Sequence, residues 1–203
     1  MNDSITSNPN LKIDLHITIL GKAIVGKTSL INRILNIDIP KNHVPTIEDK
    51  YKLTKIINFE KLNLELLDTS GEKDYQNMFY SWVNKGDVFI LVFAINDKES
   101  FDCLNDVKNK INEIKGENIP IILVGNKNDL KDERKVNDID VKTLTKNWND
   151  VEYIECSAKD NINCDVILSL MVLKWKNYKK NKNRNNEQNK NTKNNLNCNC
   201  FIY

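Results

Sequence analysis

The sequence predicts an α/β domain with a mostly parallel six-stranded sheet, one antiparallel edge strand and helices on both faces. Three observations predict it. Short apolar, β-branched runs alternate with helix-like stretches, the arrangement that builds a sheet covered on two sides. Asn58-Phe59-Glu60 lies between two of the runs with no helix, too short a connection for a crossover, so that pair is an antiparallel hairpin. The first run feeds a glycine-framed octapeptide that opens into a helix.

The strands fall, by length and β-branched content, at Ile13 to Leu20, Lys50 to Ile57, Leu62 to Leu67, Val88 to Ala94, Ile119 to Val124 and Val151 to Ile154. Helices are expected at Thr28 to Leu35, Tyr75 to Val83, Ser100 to Ile114 with Ser100 as its cap, Asp138 to Asn147 and Ile162 to Lys176. Val166 to Leu173 is nearly continuously apolar, which assigns Met171 and Trp175 to packing of the last helix against the sheet. The 203 residues divide into a polar lead-in (1–11), one domain (12–178) and an Asn/Lys-rich tail (179–203) too poor in apolar residues to fold by itself.

Charge is distributed unevenly. From Lys174 onward eight Lys or Arg face one acid, Glu187, so a +7 tail follows a −5 body within a net charge of +2. Such a tail suits an anionic membrane or nucleic acid, and the residues at its far end decide between them. Five cysteines, an odd number, without a leader-like segment read as reduced thiols inside a cell. Asn2 excludes N-myristoylation, and no apolar run reaches the length of a membrane span.

The octapeptide is Gly21-Lys22-Ala23-Ile24-Val25-Gly26-Lys27-Thr28, followed by Ser29. G-x-x-x-x-G-K-[ST] between strand and helix is a phosphate-binding loop: backbone N–H groups turn toward the phosphates at a helix N-terminus, Lys27 reaches the terminal phosphates and Thr28 ligates Mg²⁺. Asp68-Thr69-Ser70-Gly71 follows a strand, so Asp68 can hold Mg²⁺ and the Gly71 N–H can approach a γ-phosphate. D-x-x-G alone is a common turn pattern. After Ile119 to Val124 comes Gly125-Asn126-Lys127-Asn128-Asp129, and the Asp129 carboxylate can accept from N1–H and the 2-amino group of guanine, a pair that adenine lacks. Cys156-Ser157-Ala158-Lys159 follows the last strand and can offer the Ala158 N–H to the guanine oxygen.

In order and approximate spacing these motifs resemble those of the Ras superfamily of small GTPases across residues 12–178, which implies the G-domain version of the P-loop NTPase fold. Pro45-Thr46-Ile47-Glu48-Asp49-Lys50-Tyr51 is similar to the Ras-subfamily effector region rather than to its Rab or Rho counterpart. The resemblance makes His43 to Tyr51, including Val44, the effector segment. It gives Thr46 the Mg²⁺-ligating, γ-phosphate-sensing role, with Thr28 and Asp68 as the other metal residues, and Asn126, Lys127 and Asp129 the reading of guanine. Lys27, Gly71 and Glu72 become the catalytic group, within a nucleotide site that also takes in Thr69, Ser70, Ser157, Ala158 and Lys159.

Four positions depart from that pattern. Glu72 replaces the usual glutamine; when ionised it only accepts hydrogen bonds and brings negative charge toward the γ-phosphate. Ala23 places a methyl group where Ras proteins leave room for an activating protein's arginine, so stimulated hydrolysis is expected to suffer more than intrinsic hydrolysis. Ile39 stands where an aromatic residue packs on guanine, and His43 where a tyrosine covers the phosphates. Losing an aromatic contact of about 0.5–1.5 kcal/mol speeds nucleotide release several-fold.

The chain ends Cys198-Asn199-Cys200-Phe201-Ile202-Tyr203, which resembles a prenylation box at Cys200 with Cys198 as a second lipid site. A lipid plus a basic tether gives stable attachment, favouring the cytoplasmic face of a membrane, the plasma membrane in particular, over nucleic acid. The expected protein is a GTP/GDP switch with Mg²⁺ as cofactor and low intrinsic hydrolysis. Its expected partners are effectors, an exchange factor, a GTPase-activating protein, a prenyltransferase and an anionic membrane. The alternative is a GTP-binding module with negligible hydrolysis or fast exchange.

Overall fold

A computed structural model describes residues 4–5, 14–40, 45–148 and 151–197. The elements run β1 (Ser4–Ile5), β2 (Leu15–Leu20), α1 (Lys27–Ile34), β3 (Glu48–Ile57), β4 (Glu60–Thr69), α2 (Phe79–Lys85), β5 (Val88–Ala94), α3 (Lys98–Asp102), α4 (Leu104–Lys115), β6 (Ile121–Asn126), α5 (Asp138–Trp148), β7 (Glu152–Glu155) and α6 (Cys164–Asn197). A 3₁₀ segment, Lys73–Met78, follows β4, and a 3₁₀ stretch broken by a kink at Leu130, Asn128–Glu133, follows β6. The sheet order is β1-β3-β4-β2-β5-β6-β7, parallel except for the β3–β4 hairpin and the β1–β3 pair.

All six expected strands are present. The hairpin turns at Asn58 and Phe59, both at positive φ, the backbone that lets a two-residue connection follow the strand twist. β5 is buried along its whole length and its side chains alternate between two cores. Val88, Ile90 and Val92 pack with Leu30 and Ile31 of α1 and Leu168 and Met171 of α6. Phe89, Leu91 and Phe93 pack with Trp82, Phe101, Leu104 and Trp148 from the helices on the opposite face. Both Met171 and Trp175 lie in the first core.

Three expectations change. The lead-in contains a two-residue strand, with Ser4 opposite Thr54 and Ile5 opposite Leu53, so a seventh strand covers part of the β3 edge. The helix expected from Ser100 is divided into α3 and α4, and its cap is Asp97, whose carboxylate accepts the Ser100 N–H at 3.3 Å. Ser100 is fully buried; its hydroxyl donates to the Asp97 carbonyl and accepts the Ala94 N–H, fixing the turn after β5. α6 continues through the Asn/Lys-rich segment to Asn197. No Gly or Pro follows Gly125 to end it, and Lys179 and Lys182 fold back over Trp175 and Tyr178 one helical turn earlier. Cys198, Cys200, His43 and Val44 lie outside the described residues.

Candidate functional site

The parallel strands β2, β4, β5, β6 and β7 all point their carboxyl ends to one edge of the sheet, where the loops after β2, β4, β6 and β7 enclose a cavity of about 560 Å³. The phosphate loop forms its floor, contributing Ala23, Ile24, Gly26, Lys27, Thr28 and Ser29. Gly26 has φ +93° and faces the Asn126 side chain, so neither the backbone nor the space admits another residue there. Ile24 also sits at positive φ, 64°, a strained conformation for a β-branched residue, with its side chain in solvent.

Lys27 is buried, and its ammonium donates to the carbonyls of Gly21 and Lys22, both at 2.9 Å. Burial lowers its pKa to about 8, opposed by the nearby Asp68 carboxylate. Lys22 diverges from the expected nucleotide contact at the side-chain level: it turns away to Glu99 at 2.7 Å and Asp97 at 3.5 Å. Val25 likewise packs into the core, leaving only its backbone to the loop.

The three expected metal residues meet. The Thr28 hydroxyl donates to Asp68 Oδ2 at 2.6 Å and lies 3.0 Å from the Thr46 hydroxyl. Asp68 is fully buried, which raises its carboxyl pKa against the Thr28 hydrogen bond and the Lys27 charge. Its second oxygen, Oδ1, is buried with no hydrogen-bond partner among the described residues. Two hydroxyls beside a carboxylate with an unused buried oxygen form an all-oxygen donor set, and that set fits Mg²⁺.

The next segment closes on the loop. Gly71 accepts the Ala23 N–H at 3.1 Å, so close that a Cβ on Gly71 would collide with the Ala23 and Lys22 backbone. The Ser70 N–H donates to the Ile47 carbonyl, and the Thr69 hydroxyl to the Ile19 carbonyl. Glu72 is exposed at the cavity rim, with its N–H on the Ser70 hydroxyl. Ile39, Pro45 and Thr46 complete that wall.

At the other end, Asp129, Lys127, Ala158 and Lys159 line the cavity. Lys127 adopts a left-handed backbone, φ 66°, that turns the chain out of β6. The Asp129 carboxylate accepts from the Ser157 hydroxyl at 2.7 Å, with Lys159 at 3.8 Å. Asn126, which also lines the cavity, and Ala158 make further contacts within the protein. The Asn126 amide donates to the Val25 carbonyl at 2.8 Å, while its oxygen accepts the Ala158 N–H at 3.0 Å and the Cys156 thiol at 3.4 Å. Both ends of its amide are thus used within the protein, so Asn126 fastens the phosphate loop to the 156–159 loop, and the Ala158 N–H is engaged by it.

One residue missed from the sequence, Arg33, belongs here, and Glu48 of the expected effector segment has partners that the sequence does not reveal. Arg33 of α1 donates to the Ala158 and Lys159 carbonyls at 2.7 and 2.9 Å, gripping a loop more than a hundred residues away. Glu48, inside the expected effector segment, accepts from Trp82 Nε1 at 2.8 Å and Lys85 at 3.0 Å, with Lys50 3.6 Å away. Burial opposes its ionisation, but the Lys85 and Trp82 hydrogen bonds hold its carboxyl below the usual range. Pro45, Ile47, Asp49 and Lys50 are exposed, whereas Thr46 and Tyr51 are half-buried and Tyr51 leans on the core.

The Ras family model matches residues 16–177. The chain belongs to the Ras family. Among its relatives, Ras-like protein RAS2 of Hydra vulgaris is 33% identical over 165 residues, covering 81% of this chain and 85% of the relative. Ras-related protein O-RAL of Diplobatis ommata is 31% identical over 153 residues, 74% of each chain. Ras-related protein rapC of Dictyostelium discoideum is 35% identical over 162 residues, covering 78% of this chain and 58% of that one. As a Ras-family small GTPase, the chain is in general terms a GTP-binding switch with GTP hydrolase activity.

Proposed function

We propose that this Ras-family chain is a Mg²⁺-dependent GTP/GDP switch with slow intrinsic hydrolysis, signalling to effector proteins from a membrane surface. The meeting of Thr28, Thr46 and Asp68 around an unpartnered carboxylate oxygen carries the reading. These residues would hold Mg²⁺, whose charge would support the phosphates and the leaving group. The Lys27 ammonium would leave the Gly21 and Lys22 carbonyls for the terminal phosphates, where its positive charge offsets charge developing in the transition state. Gly71 sits against the phosphate loop, so a γ-phosphate would displace its carbonyl contact and recruit its N–H. Glu72 at the rim would position the attacking water as an acceptor. Thr46 and Gly71 then report the γ-phosphate to the two surface segments that effectors read, and hydrolysis releases both.

Membrane attachment is supported by the basic tail and by the prenylation-like Cys200, with Cys198 as a second lipid site. Among the described residues, no helix is long and apolar enough to cross a membrane. Exchange factors, activating proteins and a prenyltransferase are the partners this reading requires.

A second reading, a GTP-binding module with negligible hydrolysis or fast exchange, draws on the exposed Glu72 and on aliphatic Ile39 in the cavity wall. Single-turnover hydrolysis of [γ-³²P]GTP, beside Glu72→Gln and with GDP release in parallel, separates the two. Slow but measurable phosphate release supports the switch. GTP that exchanges or persists without cleavage supports the module.

A further inference from the structure

We infer that Cys156 and Cys164 form a redox-sensitive dithiol site beneath the guanine-side loop, whose closure to a disulfide weakens nucleotide holding. The inference rests on the nucleotide-binding reading and adds a modification site to it. Both thiols are buried and share one apolar cluster with Ile154, Ile167 and Leu168.

The local fold brings them together. Ser157 and Ile162 exchange backbone hydrogen bonds at 3.1 and 2.9 Å, closing the loop that separates the two cysteines. Cys164 Sγ lies 3.5 Å from the Ser157 carbonyl, the residue next to Cys156. Cys156 Sγ contacts Asn126 Oδ1 at 3.4 Å, so both sulfurs lie against the base of the same 156–164 loop. In the neutral pair the Cys156 thiol donates to Asn126 Oδ1 at 3.4 Å and the Cys164 thiol to backbone carbonyls. When Cys164 ionises, the Cys156 S–H can turn to it, and Arg33 adds a positive charge nearby; both favour its thiolate despite burial. The neighbouring Cys164 sulfur, and then burial, push the Cys156 thiol up instead. Cys164 is therefore the attacking sulfur.

With a peroxide as oxidant, the Cys164 thiolate attacks one peroxide oxygen and breaks the O–O bond. The departing oxygen takes a proton and leaves as water, and the sulfur becomes a sulfenic acid. The Cys156 sulfur then attacks the sulfenic sulfur, forming S–S, breaking S–O and releasing a second water. Two thiol hydrogens and two electrons have passed to the peroxide. The product has no S–H to donate to Asn126, the residue that also holds the Val25 carbonyl and the Ala158 N–H. Because both thiols are shielded, oxidation requires the 157–163 loop to open. A nucleotide that holds the loop shut slows the reaction, and by reciprocity the disulfide lowers nucleotide affinity.

The test uses the full purified chain, GDP·Mg²⁺-loaded or stripped with EDTA, exposed to millimolar hydrogen peroxide and digested with trypsin without reductant. Cleavage after Lys159 separates the two cysteines unless they are linked. The expected result is a linked Cys156–Cys164 peptide that forms faster in the stripped protein. GDP release from the oxidised protein should be about tenfold faster, the worth of one hydrogen bond, and dithiothreitol should restore it. Cys164→Ser, with Cys164→Val as an apolar second variant, should show neither the link nor the acceleration. Absence of the linked peptide from stripped protein overturns the proposal, as does a linked protein with unchanged release. Failure of the reduced protein to hold GDP at all overturns the nucleotide reading instead, and the linked peptide then judges the dithiol site separately.

Discussion

The two ends of the cavity are built on opposite principles. At the guanine end the polar groups are bound mostly to one another, Asn128 Oδ1 excepted: Asn126 uses both ends of its amide, Ser157 bonds Asp129, and Arg33 grips two carbonyls. At the phosphate end Asp68 Oδ1 is buried and has no partner among the described residues, and Lys27 rests on carbonyls of its own loop. The first end is assembled by the fold, whereas the second holds desolvated charge that a metal and phosphates would complete. Base recognition is therefore preorganised, and the phosphate end is free to report which nucleotide is present.

The sharpest way to break this contrast is at Asn126. Asn126→Ala leaves the Val25 carbonyl and the Ala158 N–H without partners, at about 1–3 kcal/mol for each buried group. Thermal unfolding of nucleotide-free protein should fall by several degrees, and GDP release should quicken by at least tenfold. Asp68→Asn should do the reverse to stability: it removes an incompletely satisfied buried charge, so the nucleotide-free protein gains about 1–3 kcal/mol in urea unfolding while GDP release loses its Mg²⁺ dependence.

A smaller effect is expected behind the guanine loop. Arg134 holds Glu155 with two hydrogen bonds of 2.8 Å, and Tyr153 donates to the same carboxylate at 2.6 Å. The Arg134 bonds lower the Glu155 pKa despite partial burial. A carboxyl lowered in the folded state stabilises at pH above its unfolded value, and that stability is lost as pH falls through the folded value. Glu155→Gln should therefore cost about 1.5 kcal/mol at neutral pH, with the difference from wild type shrinking below pH of about 4. The smallest change is Ile39→Phe, which should slow GDP release several-fold by restoring an aromatic contact of about 0.5–1.5 kcal/mol. Stopped-flow release of a fluorescent GDP measures it.

The phosphate loop is legible in the sequence because its eight residues carry their chemistry in order and sit between a strand and a helix. Asp68 is legible for a similar reason, as an acid at the end of an apolar strand. Arg33 is not, because its partners are backbone carbonyls that only the tertiary fold brings to it. An amide with both donor and acceptor directs Asn126 to the base, but nothing local reveals that it also ties the Val25 carbonyl to the Ala158 N–H. Ser100 and Asp97 are both good caps three residues apart, and burial of Ser100 under β5 decides between them. Glu48 lies in an exposed-looking acidic run, and its attachment to Trp82 and Lys85 depends on where the tertiary fold places α2.

The most direct test of the contrast is GDP release with excess Mg²⁺ and then with EDTA, in the wild-type chain and in Thr28→Ala. Acceleration of wild type by at least about tenfold in EDTA, or 1.4 kcal/mol, with Thr28→Ala already fast and indifferent to chelation, is the predicted result. Equal wild-type release with and without Mg²⁺ would contradict the account, because the groups gathered around Asp68 would then not be holding the nucleotide through a metal.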